Sequence, residues 1–472
     1  MTFSSDIESF LRDYLKEVQE QNAAIFAGAG LSMGSRAIDW SGLLRDFALE
    51  LKLDVAKEPD LVLLTQFYLN HVGQNRSSIN KKLLEEFHHG LRPNDNHRII
   101  ARLPISTYWT TNYDKLIELS LADAGKIVDV KHSVLQLAHT VPGRDVTVYK
   151  MHGDVDLPQH TILSKDEYER YHVTHGGFLN ALSGDLTGKT FLFLGFSFTD
   201  PNLDYVLSRI RIMYRDNQRR HYCIFREVKK KENETDKEFL YRQIRQDHVV
   251  KDLQRFNIQV LIVNEFEDIT AILTELERRF KQRTVCISGS AAVYDPYTES
   301  QAHEFLNRLA SELVKRKHKI VSGFGTGVGI HIINGALKEV YENEHKSLKD
   351  ELILRPFPVG SGGDIVNQYR EDMLAYAGIA IFVFGNKMEG SNTVHADGMR
   401  KEFAIGERNG MLLLPVGCTG HVARELWEHV WKNYDKYYPG RMFEPVFREL
   451  GQSHLDINRA LELILTILPP SK

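Results

Sequence analysis

The sequence predicts an α/β protein of two domains, each with a mainly parallel sheet flanked by helices. Short apolar or β-branched runs recur along the chain and are separated by segments of helical length. Several runs enter glycine-rich turns, and the whole pattern restarts near residue 284. A chain of 472 residues also exceeds the usual domain size of ~150 residues about threefold, so more than one domain is expected.

The composition indicates an ordinary globular chain, with 42% hydrophobic and 26% charged residues. This excludes disordered and collagen-like proteins. The formal net charge of −4 gives no electrostatic argument for nucleic-acid binding. Three scattered cysteines without a CxxC pair argue against a disulfide framework or a zinc site, so we expect no metal and a reducing, cytoplasmic environment.

The N-terminal residues and the apolar runs suggest no membrane association. The first residues lack the basic start and apolar stretch of a secretory signal. The longest apolar runs, such as residues 378–384, are seven or eight residues long, whereas a membrane-spanning helix needs ~18. We therefore expect a cytoplasmic protein with no membrane partner.

The first half reads as one α/β domain. An amphipathic helix over residues 6–21 has apolar side chains at three- and four-residue spacing. The charged stretch 226–237 is interpreted as a solvated loop leading into a helix, and a last helix begins near residue 268. The predicted strands are 23–27, 105–111, 146–151, 191–196, 221–225 and 258–263.

The second half reads as a complete small Rossmann-like unit, so we place the domains at residues 1–283 and 284–472. A helix is predicted over residues 299–317. The predicted strands are 284–288, 319–322, 351–357, 378–384 and 411–416.

Four polar motifs of the first half follow predicted strands. Each has a simple interpretation when taken alone: a ligand-free turn, a pair of turn formers, or a structural histidine. Because ligands of open parallel sheets gather at the carboxyl ends of strands, four such motifs on one edge indicate a ligand site. The candidate residues are Gly28, Ala29, Gly30 and Ser32, then Asn112 and Asp114, then His152, then Gly195, Ser197 and Asp200.

Gly-Ala-Gly-x-Ser, Thr-x-Asn-x-Asp, His-Gly-Asp and Gly-x-Ser, in this order, resemble the sirtuin family over residues 1–283. The resemblance implies a Rossmann-like NAD site with His152 as the catalytic base and with Asn112 and Asp114 at the nicotinamide and its ribose. It also implies that Gly28, Ala29, Gly30 and Ser32 line the phosphates. Gly195 and Ser197 would hold the adenosine half, and Asp200 of the same motif is counted with the NAD-binding residues.

The sequence also departs from deacylating sirtuins. Thr111 and Tyr113 replace the Gln and Ile of their Gln-Asn-Ile-Asp motif, and the two CxxC pairs of their zinc module are absent. The acyl-lysine groove beside that module is therefore in doubt. The extended motif of residues 195–202 is more similar to bacterial sirtuin-like defence proteins that destroy NAD.

The expected chemistry is cleavage of the N-glycosidic bond of NAD+. Nicotinamide leaves through an oxocarbenium-like state, and without an acyl substrate water can attack. The Asn112 amide can hold water or a ribose hydroxyl. His152 can accept the proton, a contribution of typically ~10²–10⁴-fold in rate.

The second half carries glycine turns and isolated charges that suit a phosphate-bearing ligand. The simpler interpretation is packing glycines with surface lysine and arginine. The half resembles the SLOG superfamily over residues 284–472, without the Pro-Gly-Gly-x-Gly-Thr-x-x-Glu motif of its enzymes, which favours ligand binding over hydrolysis. The candidate residues are Ser288, Gly289, Ser290, Gly325, Thr326, Gly327, Arg370, Lys387 and Glu402.

The combination resembles the NADase effectors of Thoeris anti-phage systems. This resemblance implies activation by a cyclic ADP-ribose isomer from a TIR-domain partner, then NAD+ depletion and abortive infection. It also implies a homo-oligomer, a tetramer or larger. Two alternatives remain open: an NAD-dependent protein deacylase and a non-catalytic, nucleotide-sensing regulator.

Overall fold

The protein, described here from a computed structural model, forms two compact units, Met1–Glu277 and Arg278–Lys472. The structure describes residues 3–35, 37–88, 90–343, 347–357, 363–441 and 443–468. Each unit has its own parallel sheet and helices, as the sequence predicts. None of the helices in these ranges combines the length and apolar character that crossing a membrane requires.

The first unit is built on a seven-stranded parallel sheet of order β3-β4-β2-β1-β5-β6-β7. The chain leaves β1 toward one edge and returns to pair β5 on its other side. This reversal opens a crevice at the carboxyl ends of β1 and β5. The strands are β1 (Ala23–Ala27), β2 (Thr107–Thr110), β3 (Val128–Lys131), β4 (Val146–Lys150), β5 (Thr190–Leu194), β6 (His221–Arg226) and β7 (Ile258–Val263).

Helices cover both faces of this sheet and add a wall between β1 and β2. Leu44, Phe47, Leu64 and Leu83 form a separate apolar cluster that holds this wall together. The helices are α1 (Ser5–Gln19), α2 (Ala29–Ser32), α3 (Trp40–Glu50), α4 (Leu61–His71), α5 (Ser77–Phe87), α6 (Asp95–Arg102), α7 (Leu116–Asp123), α8 (Val134–Leu137), α9 (Lys165–Thr174), α10 (Gly176–Gly188), α11 (Pro201–Tyr214), α12 (Asp236–Gln254) and α13 (Phe266–Lys281).

The second unit has a five-stranded parallel sheet of order β10-β9-β8-β11-β14. Its order reverses between β8 and β11, which pair over six residues. The strands are β8 (Thr284–Ser290), β9 (Lys319–Ser322), β10 (Leu352–Leu354), β11 (Ile379–Phe384) and β14 (Leu412–Pro415), and an antiparallel hairpin contains β12 (Asn386–Glu389) and β13 (Asn392–His395).

The helices of the second unit pack their apolar faces on this sheet, where Leu306, Leu309, Ile332 and Phe382 belong to one continuous core. They are α14 (Glu299–Lys315), α15 (Gly329–Tyr341), α16 (Leu348–Glu351), α17 (Gly363–Leu374), α18 (Asp397–Arg408), α19 (His421–Lys432), α20 (Tyr434–Tyr437), α21 (Glu444–Glu449) and α22 (Ile457–Ile467).

Three strands escaped the sequence analysis. The edge strand β3 alternates half-buried and buried side chains and includes Asp129 and Lys131, so it lacks an apolar run. The hairpin of β12 and β13 is largely exposed and polar. The predicted strand 191–196 also ends earlier, at Leu194, because Gly195 adopts a positive φ of 62°.

Candidate functional site

The carboxyl ends of β1, β2, β4 and β5 border a cavity of about 840 Å³ in the first unit. This edge brings together residues that lie far apart in the sequence. The predicted residues that line the cavity are Ala29, Gly30, Ser32, Asn112, Asp114, His152, Gly195, Ser197 and Asp200. Gly28 is buried directly beneath them, and its carbonyl accepts a hydrogen bond from Asn112 Nδ2 at 3.1 Å.

The glycines let two loops touch. A Cβ on Gly28 would lie 2.5 Å from the Gly195 carbonyl oxygen, and one on Gly195 would lie 2.1 Å from the Leu31 nitrogen. The amides of Gly28 and Gly30 donate to the carbonyls of Leu194 and Gly195, both at 2.9 Å. These two glycine amides therefore hold the loops after β1 and β5 together, and a bound phosphate would need other donors.

Asn112 is fixed by a network in the turn after β2. Its Nδ2 donates to Gly28 O at 3.1 Å and to Ser32 Oγ at 3.2 Å, and Ser32 donates to Asp114 Oδ2 at 2.9 Å. Both hydrogens of the Asn112 amide are thus engaged within the protein. The side-chain oxygen Oδ1 is the polar atom that Asn112 can offer to water or to a ribose hydroxyl.

A buried lysine supports this turn from below. Lys150, at the end of β4, is fully buried and donates to the carbonyl of Tyr113 at 3.1 Å and to Glu118 Oε1 at 2.9 Å. Its ammonium also lies 2.6 Å from Asp154 Oδ2. Burial alone would lower the pKa of Lys150, but the carboxylates of Glu118 and Asp154 outweigh it, so the pKa is raised and the lysine stays charged.

His152 follows β4 and is only 3% exposed. Its Nε2 lies 3.2 Å from Asp200 Oδ2, but the two atoms are not aligned for a hydrogen bond. Tyr168 Oη lies 3.4 Å from His152 Nδ1 and 3.4 Å from Asp200 Oδ2. Burial lowers the pKa of His152, and the charge of Asp200 opposes part of that effect. His152 is therefore neutral near pH 7 and able to accept a proton.

The rest of the cavity wall was missed by the sequence analysis. Trp40, from the helical wall, is among the lining residues, and its Nε1 is buried without a hydrogen-bond partner among the described residues. At the carboxyl end of β6, Arg226 lies over the Phe266 ring, with its Cζ 4.3 Å from the ring centroid, and both residues line the cavity. A tryptophan at a helix start and an arginine at a strand end carry no sequence signal of their own.

The second unit brings its predicted residues together at the switch between β8 and β11. Ser288 donates to Glu402 Oε2 at 2.6 Å, and Glu402 Oε1 lies 3.3 Å from Arg370 Nε. The Arg370 guanidinium also lies over the Phe357 ring, with its Cζ 5.1 Å from the ring centroid. Burial raises the pKa of Glu402, and its hydrogen bond with Ser288 and the charge of Arg370 counteract part of that rise.

The glycine turns of the second unit are pressed against each other. A Cβ on Gly325 would lie 1.9 Å from the Gly289 carbonyl oxygen, and Gly327 has a φ of 71°. The backbone carbonyl of Thr326 accepts a hydrogen bond from the Ala291 amide at 2.8 Å. The hydroxyl of Ser290 donates to Asn386 O at 3.0 Å, next to the exposed Lys387 of the hairpin.

Asn386, beside these turns, is a residue that the sequence analysis passed over. It is fully buried, and its Oδ1 accepts the amides of Ala292 at 2.7 Å and Val293 at 3.0 Å. It thereby fixes the loop after β8. Across the described residues of both units, no group of three or more His, Cys, Asp or Glu side chains is placed to hold a metal ion.

Comparisons with known proteins match both units. The SIR2-like domain family matches residues 106–246, and the Sir2- and TIR-associating SLOG family matches residues 268–470. A Bacillus cereus (strain MSX-D12) protein named NAD(+) hydrolase ThsA is 46% identical over 99% of this chain and 98% of its own. A protein of the same name from Acinetobacter baumannii (strain 532279) is 45% identical over 92% of each chain. A Bacillus subtilis protein named Defense-associated sirtuin 2 is 24% identical over 47% of this chain and 23% of its own.

Proposed function

The chain belongs to the family of the NAD(+) hydrolases named ThsA, and from this premise we propose that it hydrolyses NAD+ in the cavity of the first unit. The observation that carries the proposal is the convergence of Asn112, Asp114 and His152 on one cavity of about 840 Å³. This volume lies in the range of pockets that enclose a small molecule. The products are nicotinamide and ADP-ribose.

The reaction is a substitution at C1′ of the nicotinamide ribose. The bond from C1′ to the nicotinamide nitrogen breaks, and its electron pair leaves with nicotinamide, which becomes neutral. The oxygen of a water molecule bonds to C1′, and one of its protons passes to the His152 imidazole and then to solvent. NAD+ and water thus give ADP-ribose, nicotinamide and one proton.

The residues around C1′ stabilise positive charge. Asn112 offers Oδ1, because its amide hydrogens are engaged by Gly28 and Ser32. The Asp114 carboxylate lies next to Ser32 in the same wall. Oxygen acceptors fixed around a developing oxocarbenium ion lower the barrier without reorganisation during the reaction. Such an arrangement suits glycosidic cleavage.

We further propose that the second unit senses a cyclic ADP-ribose isomer made by a TIR-domain partner. The support is the switch between β8 and β11, where Arg370, itself held by buried Glu402, and the exposed Lys387 accompany close-packed glycine turns. A ligand shifts an equilibrium only by its differential affinity for two states. The nucleotide must therefore bind more tightly to the active arrangement, which then depletes cytoplasmic NAD+ and aborts phage infection.

A homo-oligomer, a tetramer or larger, is part of the same proposal. Helices α11 and α12 expose apolar side chains, with Ile212 at 75%, Met213 at 70% and Tyr241 at 67%. Exposed apolar patches on a globular protein often mark contacts with other chains. Light scattering of the purified protein, with and without the nucleotide, measures the assembly directly.

The decisive experiment is incubation of the purified full-length protein with NAD+, with and without cyclic ADP-ribose isomers. Chromatography of the products should show nicotinamide and ADP-ribose in equal amounts, formed faster with one isomer. If NAD+ survives under every condition, the hydrolase proposal is wrong and a non-catalytic regulator is favoured. If NAD+ is consumed equally with and without every isomer, the sensing proposal is wrong.

A further inference from the structure

The hydrogen-bonding surroundings of His152 determine which of its nitrogens can act as a base. Its Nδ1 lies 3.4 Å from Tyr168 Oη. Its Nε2 has no aligned hydrogen-bond partner among the described residues, although Asp200 Oδ2 is 3.2 Å away. A buried ring nitrogen without a partner at the wall of a cavity is available to a bound molecule.

The protons between these three side chains can be counted. Burial and the nearby Asp200 charge raise the pKa of Tyr168 well above its ordinary value, so its hydroxyl keeps its hydrogen. The Asp200 carboxylate accepts hydrogen bonds only, and Tyr168 Oη lies 3.4 Å from its Oδ2. Because Nε2 is not aligned with Asp200, a hydrogen on Nε2 would have no acceptor there, and the arrangement that uses both contacts of Tyr168 has its hydroxyl donate to Asp200 and its oxygen accept from His152. The hydrogen of neutral His152 is then on Nδ1, and Nε2 carries the lone pair.

Asp200 is held in place independently of His152. It caps the N-terminus of α11, where its Oδ1 accepts the amides of Asn202 at 2.9 Å and Leu203 at 3.1 Å. Its side chain is 9% exposed. Within the described ranges, no lysine or arginine lies within ion-pair distance of this carboxylate. The imidazole of His152 is therefore the neighbouring group whose positive charge the Asp200 carboxylate can stabilise.

We propose that Tyr168 and Asp200 are positioning residues for His152: Tyr168 fixes its Nδ1–H tautomer, and Asp200 stabilises the imidazolium that forms when Nε2 takes a proton from water. The proposal rests on the proposed hydrolase function and deepens it. It assigns Asp200, expected from the sequence to bind NAD+, to the base instead. In serine proteases, too, a carboxylate beside the histidine stabilises the imidazolium that forms during the reaction.

The other groups around His152 do not compete with Asp200. The ring centroid of Tyr171, on α9, lies 6.1 Å from that of His152, and the Tyr171 hydroxyl donates a hydrogen bond to Met151 O at 2.7 Å. The ring centroids of His175 and Tyr171 lie 4.8 Å apart, and the pKa of His175 is lowered by burial and, to a lesser degree, by the charge that His152 carries when protonated. Both are neutral near pH 7. Removing the Asp200 charge should therefore lower the pKa of His152 and make it a weaker base.

The kinetic test compares Asp200→Asn and Tyr168→Phe with the wild type over a range of pH. Asparagine caps helices as well as aspartate does, so α11 should keep its start. We expect Asp200→Asn to lower kcat about 10–100-fold, to leave KM within about threefold, and to move the acidic limb of the profile to lower pH. Asp204→Asn, an exposed change on the same helix, is the matched control and should leave kcat, KM and the acidic limb unchanged.

The result that overturns the proposal is a raised KM with an unshifted acidic limb in Asp200→Asn, which would return Asp200 to NAD+ binding. Full kcat in Tyr168→Phe would show that Tyr168 does not position His152. The double variant should be no slower than Asp200→Asn alone by more than about twofold, because both changes break one network.

A second measurement does not depend on turnover. In protein labelled with ¹⁵N-histidine, the ring-nitrogen shifts of His152, assigned by comparison with His152→Gln, should show the Nδ1–H tautomer, and Tyr168→Phe should mix the two tautomers. An Nε2–H tautomer in the wild type would overturn the inference. Wild-type protein that shows the expected tautomer but never consumes NAD+ would instead overturn the proposed function.

Discussion

Ser32 donates a hydrogen bond of 2.9 Å to Asp114, across 82 residues of sequence, and so joins the turn after β1 to the turn after β2. The same hydroxyl accepts from Asn112. The network is buried, so its members occupy fixed positions before any ligand arrives. Preorganised polar groups of this kind are what a reaction with a charged transition state requires.

Replacing Asn112 or His152 should abolish NAD+ cleavage without unfolding the protein. Asn112→Ala removes the oxygen acceptor, and His152→Ala removes the base, each with an expected loss of at least ~10²-fold in kcat. Nicotinamide release measures the activity, and circular dichroism measures the fold. Asn180→Ala and His172→Ala, both exposed on helices, are matched controls. Near-full activity in both folded site variants would remove these residues from catalysis.

NAD+ consumption should not depend on an acylated peptide. The sequence has no CxxC pair with which to build the zinc module beside the peptide groove of deacylating sirtuins. Water is the proposed nucleophile, so an acyl-lysine peptide added to the reaction should leave the rate of nicotinamide release unchanged. Turnover that appears only with the peptide would favour the deacylase.

Arg370→Ala and Lys387→Ala should lose activation by the nucleotide while the cavity of the first unit stays intact. A charge-assisted contact with phosphate contributes about 1.5–3 kcal/mol, or roughly 10–100-fold in affinity. Calorimetry with cyclic ADP-ribose isomers measures binding, and nicotinamide release measures the response. Arg408→Ala, which removes an exposed arginine paired with Glu371, is the control. Variants that bind and respond like the wild type would place the sensor elsewhere.

Lys150→Met should destabilise the first unit strongly. It leaves the partly buried carboxylate of Glu118 without its cation and the buried carboxylate of Asp154 with only Lys115, 3.9 Å away, at an expected cost of about 3–5 kcal/mol in the free energy of unfolding. Lys16→Met, at a side chain that is 71% exposed, should change it by less than about 0.5 kcal/mol. Urea unfolding followed by circular dichroism gives both values, and equal effects would contradict the role of Lys150.

The pH dependence that Asp154 contributes to stability should differ in sign between the wild type and Lys150→Met. In the wild type, burial raises the pKa of Asp154, but Lys150, the Asp156 amide and Lys115 together lower it more, so the net pKa is below the ordinary 3.8. The stabilisation by Asp154 is therefore present above that value and lost as the pH falls through the lowered pKa. In Lys150→Met, burial acts unopposed by that lysine, and unfolding at pH 5 should require more urea than at pH 7.

Gly195→Ala should damage both the fold and the cavity. The residue has a φ of 62°, and its Cβ would lie 2.1 Å from the Leu31 nitrogen. The left-handed backbone alone costs about 1–2 kcal/mol with a side chain, and the clash adds to it. Gly184→Ala, in the exposed interior of α10 with open space around its Cβ, should instead stabilise by about 0.5–1 kcal/mol. Thermal unfolding of the two variants decides whether loop contact requires Gly195.

Local sequence determined the fold class and most of the candidate residues. A strand such as Ala23–Ala27 is an unbroken apolar run, and the glycine turn after it follows directly in the chain. Such signals depend on neighbours a few positions apart, and parallel strands align their carboxyl ends on one edge. The order of these motifs and the restart of the pattern near residue 284 could therefore be predicted from the sequence alone. The resemblances drawn from them agree with the family comparisons.

Only the tertiary structure decided which side chains meet. Asp200 caps a helix and faces His152 from another loop, and Tyr168 reaches both from α9. Lys150 is an ordinary charged residue in the sequence, yet it is fully buried beneath the site because Glu118 and Asp154 neutralise it. Such contacts arise from the packing of helices and loops around the sheet. Their geometry depends on how side chains from many elements fill the core together, and no short stretch of sequence specifies that packing.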